Sequence, residues 1–302
     1  MSARLKQILA HVGSLLAVAG FVFVGVRLTD YWPQFQNAPL SGGQMSLLLL
    51  LALGYGLANW LLAMAWRDLL NELGTRLSIV KSTAIYGRAQ IAKYAPGNVF
   101  HLAGRQVLGM AAGVPVQPLA KSIALELGLL VVCALVWISL FLQRWLASWV
   151  GDLAWVVPAL MVAGVGIAVL RWRRFLSARA LAWQSMFLLF SAAVYWVVLA
   201  SLAPEPVSRV PAGVVLGAAM AAWLAGLVTP GAPAGLGVRE AVILLILGLW
   251  VPQADLVLAV LLARLVNILG DVGFFLASVW LARLEATEAV VAPPEGSGQT
   301  HV

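Results

Sequence analysis

Six apolar runs of bilayer-crossing length, nearly free of charge, restrict this chain more than any other feature: Ile8 to Val26, Met45 to Trp66, Leu119 to Leu142, Leu153 to Leu170, Leu181 to Leu202 and Leu256 to Leu281. About 20 apolar residues of helix cover a hydrocarbon layer of roughly 30 Å, where only helices and closed barrels satisfy their own backbone. Charged residues make up only 10% of the 302 positions, against about 25% in an ordinary soluble domain, so a soluble fold is excluded. The expected class is an all-α polytopic membrane protein. Trp32, Trp66, Trp145, Trp155, Trp172 and Trp280 fall near the ends of runs, where amphipathic rings favour the interface.

Basic residues set the orientation. Arg67, Arg76, Lys81, Arg88 and Lys93 follow the second run, and Arg171, Arg173, Arg174 and Arg179 follow the fourth, whereas the alternate loops carry one or two each. Cytoplasmic loops concentrate Lys and Arg, which places the N-terminus and these loops in the cytoplasm. The net charge of +7 is thus a topological signal and not one for nucleic acid. Arg4 and Lys6 ahead of Ile8 to Val26 mimic a signal peptide, but that run is too long and reads as an uncleaved span. The residues from 287 to 302, with Pro293, Pro294, Gly296 and Gly298, read as a disordered tail after a single transmembrane domain over 1–286.

Two stretches fit no simple span. Ser78 to Met110 is too polar for lipid contact and broken at Pro96-Gly97; Ala212 to Trp250 is apolar but interrupted by TPGAPAGLGVRE at Thr229 to Glu240. Pro96 precedes Arg105 by nine residues, and Pro230 precedes Arg239 by the same nine. Each break also sits between two runs, giving a repeat over about 45–142 and another over about 181–281. If both stretches are re-entrant helical hairpins, they open to opposite sides, and the fold is about six spanning helices plus two hairpins in an inverted-topology repeat. The competing reading has Ala212 to Val228 cross fully, since seventeen helical residues reach about 25 Å.

Interior charge is confined to the breaks and the runs after them: Arg105, Arg239, Glu240, Glu126, Arg264 and Asp271. Each costs about 2.5–3.5 kcal/mol at mid-membrane on insertion scales, so their clustering points to a shared hydrated cavity. Arg264, Asn267 and Asp271, at i, i+3 and i+7, share one helical stripe; Ser122 and Glu126, at i and i+4, form another. A helix starting after Pro-Gly exposes free N–H groups to anions, an arginine two or three turns on can fork onto the same oxygens, and Gly97 and Gly231 allow close backbone approach. Asn98 reads as the cap of the half-helix that follows it, His101 as a hydrogen-bonded structural group, and Lys93 and Tyr94 as interface anchors. The three histidines are scattered, Cys133 is alone, and no GxxxxGK[ST] loop or GxSxG elbow occurs, so no metal, nucleotide or other cofactor is expected.

The segments QIAKYAPGNVFHLAGR (Gln90 to Arg105), LELGLL (Leu125 to Leu130) and TPGAPAGLGVREAVILLILG (Thr229 to Gly248) resemble the lysylphosphatidylglycerol synthase transmembrane family, which includes the membrane half of the multiple peptide resistance factor. The resemblance runs from about Met45 to Leu284. It implies a flippase, not an enzyme, moving aminoacylated phosphatidylglycerol or related lipids across a bacterial cytoplasmic (inner) membrane. Fewer than twenty residues follow Leu284, too few for the family's aminoacyltransferase domain, so a stand-alone transporter is expected. Its substrate range then extends to other anionic phospholipids and polyprenyl-phosphate-linked lipids, with a separate lipid-modifying synthase as a candidate partner. In this reading Arg105 and Arg239 hold the phosphate. Glu126, Glu240 and Asp271 receive a cationic headgroup or a coupling proton, and Arg264 balances their charge. A small-solute or ion-coupled secondary transporter and an accessory subunit of a synthase are the alternatives. A lipid-phosphate enzyme is disfavoured by the absence of a histidine cluster or metal motif. Nothing in the sequence sets an oligomeric state.

Overall fold

A computed structural model describes residues 40–94, 100–151, 153–171, 178–229 and 237–291. The first run (Ile8 to Val26), the residues of both breaks at Pro96, Gly97 and Asn98 and at Pro230, Gly231 and Gly235, the pair Arg173-Arg174 and the end of the tail lie outside the described residues. Every described element is helical: α1 Gly42–Glu72, α2 Ile79–Gln90 continued by a 3₁₀ turn Ile91–Tyr94, α3 Phe100–Ala111, α4 Val116–Val150, α5 Leu153–Arg171, α6 Ala178–Leu202, the short α7 Pro204–Ser208, α8 Ala212–Val228, α9 Val238–Leu247 and α10 Gln253–Val291.

Four of these, α1, α4, α6 and α10 to Leu284, are long and apolar enough to cross a bilayer, while α8 and the apolar part of α5 are shorter. The outward faces carry leucines, with Leu53 70% and Leu57 76% exposed on α1. Rows of exposed leucine are a liability in water and the expected surface in lipid, and together with the four long helices they fit an α-helical integral membrane protein. Helix α1 begins earlier than its apolar run because Ser41 and Gln44 form a reciprocal capping box, each side chain accepting the other's backbone N–H.

Packing is reciprocal between the two halves. Helices α1 and α6 pack together, α2 packs on α10, and α8 packs on α4. The segment before each break is therefore held by the long helix that follows the other break. Across the breaks, α2 packs on α3 and α8 on α9.

The α1–α10 contact is set by two glycines. A Cβ on Gly270 would stand 2.7 Å from the Ala52 carbonyl oxygen and 2.8 Å from the Gly56 nitrogen, and a Cβ on Gly56 would stand 3.0 Å from the Gly270 carbonyl. Backbone meets backbone here, so no rotamer change relieves an added methyl. This approach sets Asn59, one turn beyond Tyr55, against Asp271, next to Gly270. Gly270→Ala is expected to destabilise the protein by about 1–3 kcal/mol through overpacking, read as a fall in melting temperature in detergent. Gly273→Ala, whose Cβ meets nothing within 4 Å, is the matched control and should not lower it.

Candidate functional site

Among the described residues, three ion-pair centres join a break-flanking element to a helix inside the bundle. In the first, Arg105 Nη1 of α3 donates to Glu126 Oε2 of α4 at 2.5 Å, and both side chains are all but inaccessible. Tyr86 of α2 donates to the other carboxylate oxygen at 2.8 Å. The guanidinium lies 4.4 Å from the Tyr86 ring centroid and 5.7 Å from that of Trp66. Trp66 donates in turn to Ser122 at 3.0 Å, so the polar stripe expected on α4 does face one centre. Arg105 is thus neutralised and sandwiched by the protein itself.

The second centre surrounds Asp271 of α10, which is fully buried. Lys93 Nζ is 2.7 Å from Oδ2, Tyr94 donates to the same oxygen, and Asn59 Nδ2 donates to Oδ1 at 3.0 Å. Gln90 extends the network to Asn59 Oδ1 at 3.4 Å. The expectation that Lys93 and Tyr94 anchor the membrane interface is corrected here. The 3₁₀ turn swings both inward, where the buried carboxylate supplies the counter-charge that an interfacial lysine finds in headgroups. His101 lies within electrostatic range of both Arg105 and Lys93, and its buried Nδ1 has no hydrogen-bond partner, which corrects the expectation of a hydrogen-bonded group at that atom.

In the third, Arg264 Nη2 of α10 lies 3.1 Å from Glu240 Oε1 of α9. Arg264 and Asp271 do share a stripe, as their spacing predicts, yet each is paired with a different element. Beside this pair α6, α8, α9 and α10 border a small, half-open cavity of about 50 Å³. Its polar lining is Ser191, Tyr195, Arg239, Arg264 and Asn267, and its remaining wall is apolar, including Ala219, Trp223 and Ile243.

Arg239 is the charge lining this cavity that has no described ion-pair partner. No described carboxylate lies within ion-pair distance of it, its buried Nε has no hydrogen-bond partner, and it lies within electrostatic range of Arg264, Tyr55, Tyr94 and Glu240. It occupies the first turn of α9, whose start at Gly237 (φ 78°) has no side-chain cap. Tyr195, 94% buried against the same cavity, also leaves its hydroxyl unpartnered, as does the buried Asn267 Oδ1. Buried polar atoms are almost always satisfied, and here three that are not border one cavity. Arg88, half-buried near the end of α2, also lacks a described carboxylate partner but does not line this cavity.

No family model matches the chain, and no curated protein matches it. The likeness to the lysylphosphatidylglycerol synthase transmembrane family rests on the three sequence segments at Gln90 to Arg105, Leu125 to Leu130 and Thr229 to Gly248 alone.

Of the expected site residues, the structure brings Arg239, Glu240 and Arg264 together at the cavity, places Asp271 two turns along α10 from Arg264, and sets Arg105 with Glu126 in a separate saturated centre. Gly97, Asn98 and Gly231 lie outside the described residues. Besides Lys93 and Tyr94, the residues of these centres that the sequence did not point to are neutral: Tyr195, Asn59, Tyr86 and Trp66. A tyrosine inside the apolar run Leu181 to Leu202 was the one available signal, since a buried phenol needs a partner.

Proposed function

We propose that this protein is a membrane transporter that carries a lipid with an anionic headgroup between leaflets, and that Arg239 holds the headgroup phosphate. The single observation behind this reading is a largely enclosed guanidinium without a described ion-pair partner at an uncapped helix start, whereas Arg105, Arg264 and Asp271 are each paired. A buried cation is costly without an anion, and helix N-termini favour phosphate oxygens. The apolar remainder of the cavity wall suits an acyl or prenyl chain. Arg105, expected from sequence to share this role, becomes a positioning residue that ties α3 to α4.

The finer architecture belongs to the same proposal. The chain crosses with six helices, the first at Ile8 to Val26, while α2–α3 and α8–α9 are re-entrant hairpins open to opposite sides. The reciprocal packing of α2 on α10 and α8 on α4 is what an inverted repeat produces, and it supports this reading. Rocking of one repeat against the other then exposes the cavity to each leaflet in turn, and the lipid gradient or an ion gradient supplies the driving force. The resemblance of the break motifs agrees with lipid as cargo.

Vesicles reconstituted with the purified protein and trace acyl-labelled phosphatidylglycerol test the reading by accessibility of the label to an impermeant quencher. Wild-type protein should equalise the leaflets. Arg239→Gln, which keeps the size of the polar end but removes the charge, should slow this about ten- to a hundredfold, the value of a charge-assisted hydrogen bond of about 1.5–3 kcal/mol. A folded variant that works at the wild-type rate removes Arg239 from the mechanism.

A further inference from the structure

The unfilled atoms of the cavity specify more than negative charge. A phosphodiester offers only acceptors, so it satisfies Arg239 Nε and can take a hydrogen bond from Tyr195. It cannot satisfy Asn267 Oδ1, which is itself an acceptor and is buried without a partner. A donor on the ligand is what this oxygen accepts. Hydroxyl and ammonium groups both donate, and the charges of the lining separate them. Arg239 and Arg264 both face the cavity, and the nearby carboxylate, Glu240, is already engaged by Arg264 at 3.1 Å. An added ammonium would meet like charge with no free carboxylate in a poorly screened site, whereas a neutral hydroxyl meets no such repulsion.

We infer that the headgroup taken by this cavity is a phosphate ester bearing neutral hydroxyls, such as glycerol or a sugar, and not one bearing an amine. The inference rests on the reading of Arg239 as the phosphate anchor. It departs from the aminoacylated lipid that the break motifs imply. Arg239 fixes the phosphate at the start of α9, and Asn267, one turn from Arg264 on α10, reads the hydroxyl beside it. The helix start does not stand alone as support, because the 94%-buried Tyr195 hydroxyl lines the same cavity without a partner.

The test is lipid binding to the full-length protein in detergent, followed by native mass spectrometry with three lipids of identical acyl chains. Phosphatidylglycerol and phosphatidylmethanol carry the same single negative charge and differ in the hydroxyls; lysyl-phosphatidylglycerol adds amines. Phosphatidylglycerol should bind wild-type protein about tenfold tighter than either of the others, the effect of filling one buried acceptor. Asn267→Leu should bring phosphatidylglycerol down to the level of phosphatidylmethanol and leave phosphatidylmethanol unchanged. Tyr195→Phe, a smaller perturbation of the packing, should weaken the phosphate contact to both alike.

Equal binding of phosphatidylglycerol and phosphatidylmethanol by the wild-type protein overturns the hydroxyl inference without recourse to any variant, as does tighter binding of the lysyl lipid. The transport reading survives either result provided that Arg239→Gln weakens all three lipids; if it weakens none, that reading fails instead. Soluble glycerol phosphate supplies the remaining arm. Weaker binding than the lipid is expected, and equal binding would keep the hydroxyl specificity but assign it to a water-soluble ester.

Discussion

Glu126→Leu is expected to leave little folded protein, and the double variant Arg105→Met, Glu126→Leu is expected to restore most of it. The single change strands a guanidinium whose side chain is only 3% exposed. Breaking a buried pair from one side costs about 3–5 kcal/mol, because the surviving charge keeps its desolvation and loses its counter-ion. The Tyr86 and Trp66 rings recover only part of that, since a cation over an aromatic face is worth about 0.5–2 kcal/mol. Removing both charges eliminates the problem, and replacement of a buried pair by well-packed apolar side chains is often neutral or stabilising. Melting temperature and the monodisperse fraction in detergent measure both outcomes. The double variant also separates positioning from ligand contact. If it transports at close to the wild-type rate, Arg105 acts only through the α3–α4 join; if it is stable but inactive, Arg105 belongs to the substrate path.

The long helices were legible because their cause is local. A run such as Leu119 to Leu142 cannot satisfy its backbone in lipid except as a helix, and α4 does cover it, extending to Val150 through Trp145 and Trp149, which suit the interface. The stripe of Arg264, Asn267 and Asp271 was legible for the same reason, as periodicity fixes which residues share a face. Partner identity was not. Arg264 and Asp271 stand seven residues apart, about 10 Å along the axis, too far to pair directly. Each therefore takes a counter-ion from elsewhere, and Lys93 is far from Asp271 in sequence. No local pattern announces such a pairing; it arises from the 3₁₀ turn after Gln90 and the Gly56–Gly270 approach, both tertiary events. Neutral partners were harder still. Charge inside an apolar run is conspicuous, but Asn59, Tyr86 and Tyr195 look like ordinary members of their helices until their hydrogen-bonding atoms are followed in three dimensions. The two arginines that match in sequence thus differ in space: Arg105 is paired with Glu126, and Arg239 has no described ion-pair partner.

Lys93→Met should harm the protein more than Asp271→Asn does, although the two changes disrupt the same ion pair. The asymmetry follows from exposure: the Lys93 side chain is 20% accessible, that of Asp271 wholly inaccessible. With asparagine at 271, the ammonium can turn its flexible stem toward the accessible side, and the new amide can accept from Asn59 through Oδ1 and donate through Nδ2 to the Tyr94 hydroxyl. With methionine at 93, a carboxylate remains in the interior holding two neutral donors and no counter-charge, the situation that costs about 3–5 kcal/mol when both partners are sequestered. Lys93→Met is therefore expected to lower the melting temperature in detergent well below that of Asp271→Asn, and the double variant Lys93→Met, Asp271→Asn should recover much of the difference. Should Asp271→Asn be the worse of the two, lysine desolvation and not carboxylate burial dominates this centre. The same comparison bears on transport, because Asp271 lies on the stripe that lines the Arg239 cavity and Lys93 belongs to the turn beside the opposite break. A pair that only holds the halves together predicts rates that follow stability, with the double variant active. A pair that must part during rocking predicts a stable double variant whose transport rate is changed.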